Sequence, residues 1–185
     1  MNKKSPLSKG KFLVSAPLLN DVFKRSVILL TEHNEEGTVG FILNKPTEYK
    51  LHEVIEDFPE FDAKIFLGGP VQQDSLNFIH KANDILEGGH EIAEGIYWGG
   101  NFEILKILIS SGSLDPSDFK FFLGYAGWSP DQLDNEVRQS SWYSRESDIQ
   151  DIFGSESSNL WAKVLKSMGK EYSIISTFPE DPSVN

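Results

Sequence analysis

Cysteine is absent from the 185 residues. Disulfides, thiolate nucleophiles and Cys-based zinc or iron–sulfur sites are therefore excluded, and the absence fits a reducing cytoplasm. Positive charge is scarce: 17 Lys and Arg stand against 28 Asp and Glu, a formal net charge of −11. Affinity for nucleic acid comes largely from cations that neutralise phosphates, so this balance argues against direct nucleic-acid binding. The one dense basic run, Lys3, Lys4, Lys9 and Lys11, reads as a solvated N-terminus. Long apolar runs are missing too. The stretch from Phe12 to Leu19 is broken by Ser15 and Pro17, too short and too interrupted for a signal h-region or a membrane span. A cytoplasmic chain without membrane attachment is expected. Internal repeats and low-complexity segments are also absent. His33, His52, His80 and His90 lie far apart, and Glu32, Glu35 and Glu36 lack the alternation of a calcium loop. No metal and no cofactor is expected.

What is present suits a folded domain. Hydrophobic residues make up 39%, with 13 Phe and 4 Trp to fill a core. The expected organisation is a flexible segment over 1–10, one domain over 11–177 and a loose tail over 178–185. Phe12, Val14 and Ala16 alternate as in a strand. Val27 to Leu30 is an unbroken apolar run, as in a strand buried on both faces. The turn at Glu35-Glu36-Gly37 predicts a hairpin with a longer loop to a strand from Thr38 to Asn44. Leu51, Val54, Ile55 and Phe58 share one helical face that Pro59 stops. Strands are predicted over 63–67, 75–81, 92–98 and 119–125, and Asn101 caps a helix over 102–111. Ser129-Pro130-Asp131-Gln132 predicts a helix start, with Ser129 capping and Gln132 completing a capping box. A helical turn over 148–153, a last amphipathic helix over 160–168 and a final strand over 172–176 complete the reading. Consecutive strand–strand steps favour α+β over a doubly wound sheet.

Three blocks carry a more specific signal. The first runs from Lys11-Phe-Leu-Val-Ser-Ala-Pro17 through Arg25-Ser-Val-Ile-Leu-Leu30 to Gly40-Phe-Ile-Leu-Asn-Lys-Pro46. The second is Leu67-Gly68-Gly69-Pro70-Val71. The third is Leu123-Gly124-Tyr125-Ala126-Gly127-Trp128-Ser129-Pro130-Asp131-Gln132-Leu133, followed by Glu136 and Trp142. In order and spacing they resemble the YqgE/AlgH family of bacterial proteins across nearly the whole chain. The resemblance implies an α+β single domain built on a twisted, barrel-like mixed β-sheet with helices packed around it. The family's names point to regulation of transcription, direct or indirect.

Candidate chemistry is sparse. Gly127-Trp-Ser-Pro-Asp131 approaches a nucleophile elbow, but Pro130 removes the N–H after the serine and Asp131 replaces the last glycine. Helix capping explains Ser129 better. Gly68-Gly69-Pro70 reads as a tight turn that lets backbone cross near a neighbour rather than as an anion loop. His33 and Asn44, at ends of the two hairpin strands, are brought into one neighbourhood if the hairpin forms. They then hold a polar ligand or fix loop backbone. Gln132 and Glu136 share a helix face near Tyr125, Trp128 and Trp142, so an amide, a carboxylate and aromatic walls form the best pocket candidate. The plainer reading pairs Glu136 with Arg25, Arg138 or Arg145 and packs the aromatics in the core. A non-enzymatic module for an unknown protein partner or small ligand is the leading expectation. An enzyme with His33 as base and Glu136 as acid, with Asn44 and Gln132 completing its pocket, is the alternative.

Overall fold

The computed structural model describes residues 7–154, 157–181 and 183, so Lys3, Lys4 and Pro182 of the segments above lie outside it. The first three strands, β1 (Lys11–Ser15), β2 (Val27–Asn34) and β3 (Gly37–Ile42), form an antiparallel meander with Phe12 opposite Leu29 and Ile28 opposite Ile42. Successive side chains go to opposite faces. Phe12, Val14, Val27 and Leu29 enter one core cluster, while Leu13, Ile28 and Leu30 enter another. Both faces are covered, which is why β2 carries an apolar residue at every position from Val27 to Leu30. The hairpin loop is shorter than expected. Asn34 pairs with Gly37 across two residues, the Asn34 side-chain oxygen accepts the Glu36 N–H at 2.8 Å, and Gly37 takes φ 133 to re-enter the ladder.

The remaining strands are β4 (Ile65–Leu67), β5 (Val71–His80), β6 (His90–Ala93), β7 (Ile96–Trp98), β8 (Phe119–Trp128) and β9 (Trp142–Glu146). Among the described residues they make one mixed sheet in the order β6-β7-β5-β8-β3-β2-β1-β9, with β4 parallel to β8 and every other pairing antiparallel. Strand β8 is the hub. Its first half pairs with β4 on one edge, its last residues pair with β3 on that same edge, and β5 runs along the other. Gly124 breaks its pleat at φ 69, a conformation that L side chains rarely adopt. The sheet curls without closing: Lys9 Nζ donates to the Glu91 carbonyl at 3.0 Å and Gly10 N–H to the Leu30 carbonyl at 2.7 Å. Residues 7–10 are thus packed, with Leu7 buried.

Among the described residues six α-helices cover the two faces: α1 (Leu51–Val54), α2 (Phe102–Ser110), α3 (Gln132–Arg138), α4 (Ile149–Phe153), α5 (Leu160–Ser167) and α6 (Lys170–Ile175). None of the described helices is long and apolar enough to cross a membrane. Helix α2 starts at Asn101, whose side chain accepts the Ile104 N–H at 3.1 Å. Helix α1 is a single turn, not the two turns predicted to Phe58. Ile55 is already extended, Asp57 takes φ 56, and Pro59 disfavours the helical region at Phe58. Leu51 and Phe58 still reach one core cluster. The predicted last strand over 172–176 is instead helix α6. Gly169 turns the chain at φ 124, and Tyr172 and Ile175, three apart, pack against the main core while Ile174 faces out. Strand β9, Trp142–Glu146, has no counterpart among the predicted elements; it pairs with β1 from Lys11 to Ser15.

Candidate functional site

The third motif block spans the end of β8, helix α3 and the start of β9. The helix begins later than the Ser-Pro-Asp-Gln pattern predicts. Asp131, not Ser129, precedes it, at φ 62 and with no side-chain cap, a conformation that Asp tolerates better than most residues. Half of the predicted capping box remains: Gln132 Oε1 accepts the Ser129 N–H at 3.0 Å. The strained residue of this turn is therefore Asp131 rather than Ser129, so the geometry of a nucleophile elbow is not formed.

Glu136 is the centre of the block. Its Oε2 accepts the indole N–H of Trp128 at 3.0 Å and of Trp142 at 2.8 Å, and its Oε1 accepts the Gln132 side-chain amide at 3.0 Å. None of Arg25, Arg138 or Arg145 pairs with it. Arg25 lies over the Trp161 ring, Arg138 donates to Asn135 and Arg145 to Ser167. Charge-assisted bonds of this kind are about twice as strong as neutral ones. The rings around it pack on one another. Phe23 stacks on Trp128 at 6.0 Å and meets Trp142 edge-on at 5.4 Å, and the two indoles cross at 5.9 Å. These are contact separations, so the three rings leave no slot between them for a planar guest.

His33 and Asn44 are not brought together. In the β2–β3 register His33 faces Thr38, while Asn44 lies beyond Ile42 at the open end of the hairpin, roughly 20 Å away at the rise of a strand. An antiparallel turn joins the end of one strand to the beginning of the next, and Asn44 lies past the far end of β3. Asn44 accepts the Val27 N–H at 2.9 Å and donates to the Arg25 carbonyl at 2.8 Å, holding Arg25 at φ 49. His33 Nδ1 is 2.7 Å from the Thr38 hydroxyl, and its Nε2 is 3.8 Å from Asp134 of α3. The four residues of the enzyme alternative therefore do not converge. Among the described residues no three metal-ligating side chains cluster.

Gly68 and Gly69 join β4 to β5 against the backbone of β8. The Gly68 N–H donates to the Leu123 carbonyl and its carbonyl accepts the Ile42 N–H, so this donor is occupied within the sheet. A groove of about 490 Å³ opens at the hairpin end of β8. Glu32 and Glu36, both exposed, line it with Thr38, Tyr125, Trp128 and Pro130. The sequence singled out its aromatics but not its carboxylates, because only the β3–β8 pairing, Thr38 to Trp128, lays the hairpin beside the third block.

Two buried titratable groups lie elsewhere. His80 donates from Nε2 to the Gly99 carbonyl at 2.8 Å and accepts the Ala82 N–H on Nδ1 at 3.1 Å. Burial lowers its pKa, against the Gly99 bond, which raises it. Lys120, only 4% exposed, is pushed down to about 7, mainly by burial and further by Lys64. The unfolded chain keeps this proton to about its ordinary value, so across that window it binds more protons than the folded chain. The cost of burying the ammonium is therefore full below pH 7 and fades as pH rises towards 10. Lys120→Met is expected to be more stable than the natural chain near pH 6.5, with the difference narrowing by about pH 9.5. Urea midpoints across that range check it; parallel curves contradict it.

Comparison with known proteins matches the chain to one group. A model described as AlgH-like matches residues 12–173. A UPF0301 protein of Chlorobaculum parvum is 43% identical over 185 residues, covering 100% of this chain and 99% of its own. A UPF0301 protein of Cytophaga hutchinsonii is 45% identical, covering 97% and 100%. The solution structure of the AlgH protein from Pseudomonas aeruginosa superposes with a TM-score of 0.73 at 27% identity, covering 97% of this chain and 98% of that one. A crystal structure of a Corynebacterium diphtheriae protein gives a TM-score of 0.78 at 24% identity, covering 96% and 95%, and shows the shared fold.

Proposed function

Since the chain belongs to the AlgH-like family, we propose that it is a non-enzymatic binding module of the cytoplasm that recognises a protein partner through the groove at the β2–β3 hairpin. The observation that carries this reading is the full occupation of Glu136 by two indoles and an amide. A general acid or base must reach a substrate proton. This carboxylate is turned inward to hold its own scaffold, and His33 and Asn44 are likewise engaged by Thr38 and by strand-end backbone.

The groove has a different character. Its exposed carboxylates, Glu32 and Glu36, flank a Tyr125 ring and Pro130. Such a surface suits an extended segment rich in Lys or Arg, whose aliphatic stems lie on the ring while their charges meet the carboxylates. A net charge of −11 steers a basic partner in the same sense.

The test is a charge reversal that leaves the interior alone. Glu32→Lys combined with Glu36→Lys is expected to shift stability by no more than about 0.5 kcal/mol, as exposed substitutions do. Quantitative crosslinking in cells, natural chain against variant, is expected to show one partner, joined through a Lys- or Arg-rich segment, reduced at least tenfold in the variant. A partner retained equally by both chains contradicts the groove as the docking surface. Turnover of a substrate by the purified natural chain contradicts the non-enzymatic reading.

A further inference from the structure

At the opposite end of β8 from the groove lies a second cavity, of about 420 Å³. Two lysines, Lys64 and Lys120, and three rings, Phe66, Phe119 and Phe153, stand in its wall. Lys120 comes from the middle of the Phe119–Phe122 run and is buried. Its Nζ donates to the Ile152 carbonyl of α4 at 3.0 Å and lies 4.1 Å above the centroid of the Phe66 ring. Among the described residues no carboxylate pairs with it. The neighbouring acids are engaged elsewhere: Asp118 with Lys81 at 2.7 Å, Asp151 with Lys163 at 2.7 Å, and Asp115 with the backbone and hydroxyl of Ser117.

A buried ammonium without a counter-charge is a costly arrangement. Here the missing charge has a place to go, because Lys120 lines an open cavity rather than lying wholly within packed core. Lys64 adds a second positive charge there, and the rings offer an apolar wall. Asp62 and Asp115 also line the cavity, and they disfavour a doubly charged guest such as a phosphate.

We propose that this cavity is a binding site for a small monocarboxylate with an apolar body, its carboxylate on Lys120 and its body against Phe66, Phe119 and Phe153. The depressed basicity of Lys120 agrees with an unpaired ammonium, and a bound carboxylate favours the protonated amine. Binding therefore tightens as pH falls through 7.

The experiment is an amide NMR titration of the full chain with three probes: 2-naphthoate, 2-naphthalenemethanol and inorganic phosphate, each at about pH 6.5 and about pH 8.5. The expected result is that naphthoate shifts the amides of residues 63–66, 117–120 and 153. It binds at least tenfold more tightly than the alcohol or phosphate, and at least tenfold more tightly at the lower pH. Lys120→Met, shown to be folded by its own amide spectrum, is expected to lose that preference. Equal binding of alcohol and acid, tighter binding of phosphate, shifts that map elsewhere, or no shift at several millimolar each overturns the proposal. The charge-reversal test of the groove uses neither these probes nor Lys120, so it stands or fails separately.

Discussion

Glu136→Ala is expected to destabilise the protein by about 3 kcal/mol. The substitution strips the acceptor from two indole N–H groups at once. Trp128 and Trp142 are 6% and 3% exposed, so neither indole reaches water easily. Leaving a buried donor unpaired costs roughly 1–3 kcal/mol, and bonds to a charged acceptor sit at the upper end. The Gln132 amide adds little, being exposed. Helix propensity works the other way: Ala is the better former, so a large loss cannot be blamed on α3 itself. Glu136→Gln is the sharper variant. It keeps one acceptor oxygen but must point an NH2 at either the indoles or the Gln132 amide, and a loss of about 1–2 kcal/mol is expected. Urea unfolding followed by tryptophan fluorescence measures both. A loss below about 1 kcal/mol for Glu136→Ala would show that the indoles find other partners.

Gly69→Ala is expected to cost about 3 kcal/mol or more, enough to compromise folding. A Cβ on Gly69 falls 2.1 Å from the carbonyl carbon of Tyr125, 2.2 Å from its oxygen and 2.3 Å from the Ala126 nitrogen. All three are backbone atoms of β8, the strand that pairs with β3, β4 and β5, so no rotamer change relieves the contact. Overpacking that moves backbone typically costs 1–3 kcal/mol and sometimes more. Gly127→Ala supplies the contrast within the same motif set. Its Cβ meets only atoms of the Tyr125 ring, at 3.3 and 3.8 Å, and a ring can tilt. A change of less than about 1 kcal/mol is expected there. Thermal melts of the two variants side by side test whether close backbone approach, rather than glycine content, is what the Gly-Gly-Pro turn requires.

The parts of the fold that were legible in the sequence are those decided locally. Asn101 caps α2 through a bond to the third residue on, and the apolar runs of β1 and β2 announce strands. Where long-range packing decides, the pattern misled. The Tyr172–Ser176 stretch, with its Ile-Ile pair, reads as strand by propensity, yet the spacing of Tyr172 and Ile175 fits a helix lying on the core. Ser129 carries every mark of a cap, but the helix starts only at Gln132.

The candidate site divides the same way. Sequence placed Gln132 and Glu136 on one helix face near Trp128 and Trp142, which the structure brings together. It could not name the indoles as the acceptor's partners, because Trp142 arrives on a strand set by pairing with β1. His33 and Asn44 looked adjacent only until the register was known. Lys120 gave almost no signal, since a single Lys among phenylalanines reads as a side chain that reaches for solvent. Only α4 and β4, closing over it through the Ile152 carbonyl and the Phe66 ring, make it a buried cation.

Whether Glu136 is consumed in holding two indoles can be read from the tryptophan side-chain region of the ¹H–¹⁵N spectrum. The Trp128 and Trp142 indole protons are expected to exchange slowly with solvent and both to shift in Glu136→Gln, while that of Trp161, bonded to the Ser15 carbonyl at 2.9 Å, stays in place. Indole protons of Trp128 and Trp142 that exchange at the solvent rate and ignore the substitution would leave the carboxylate open for chemistry, and the binding-module reading would fall with that result.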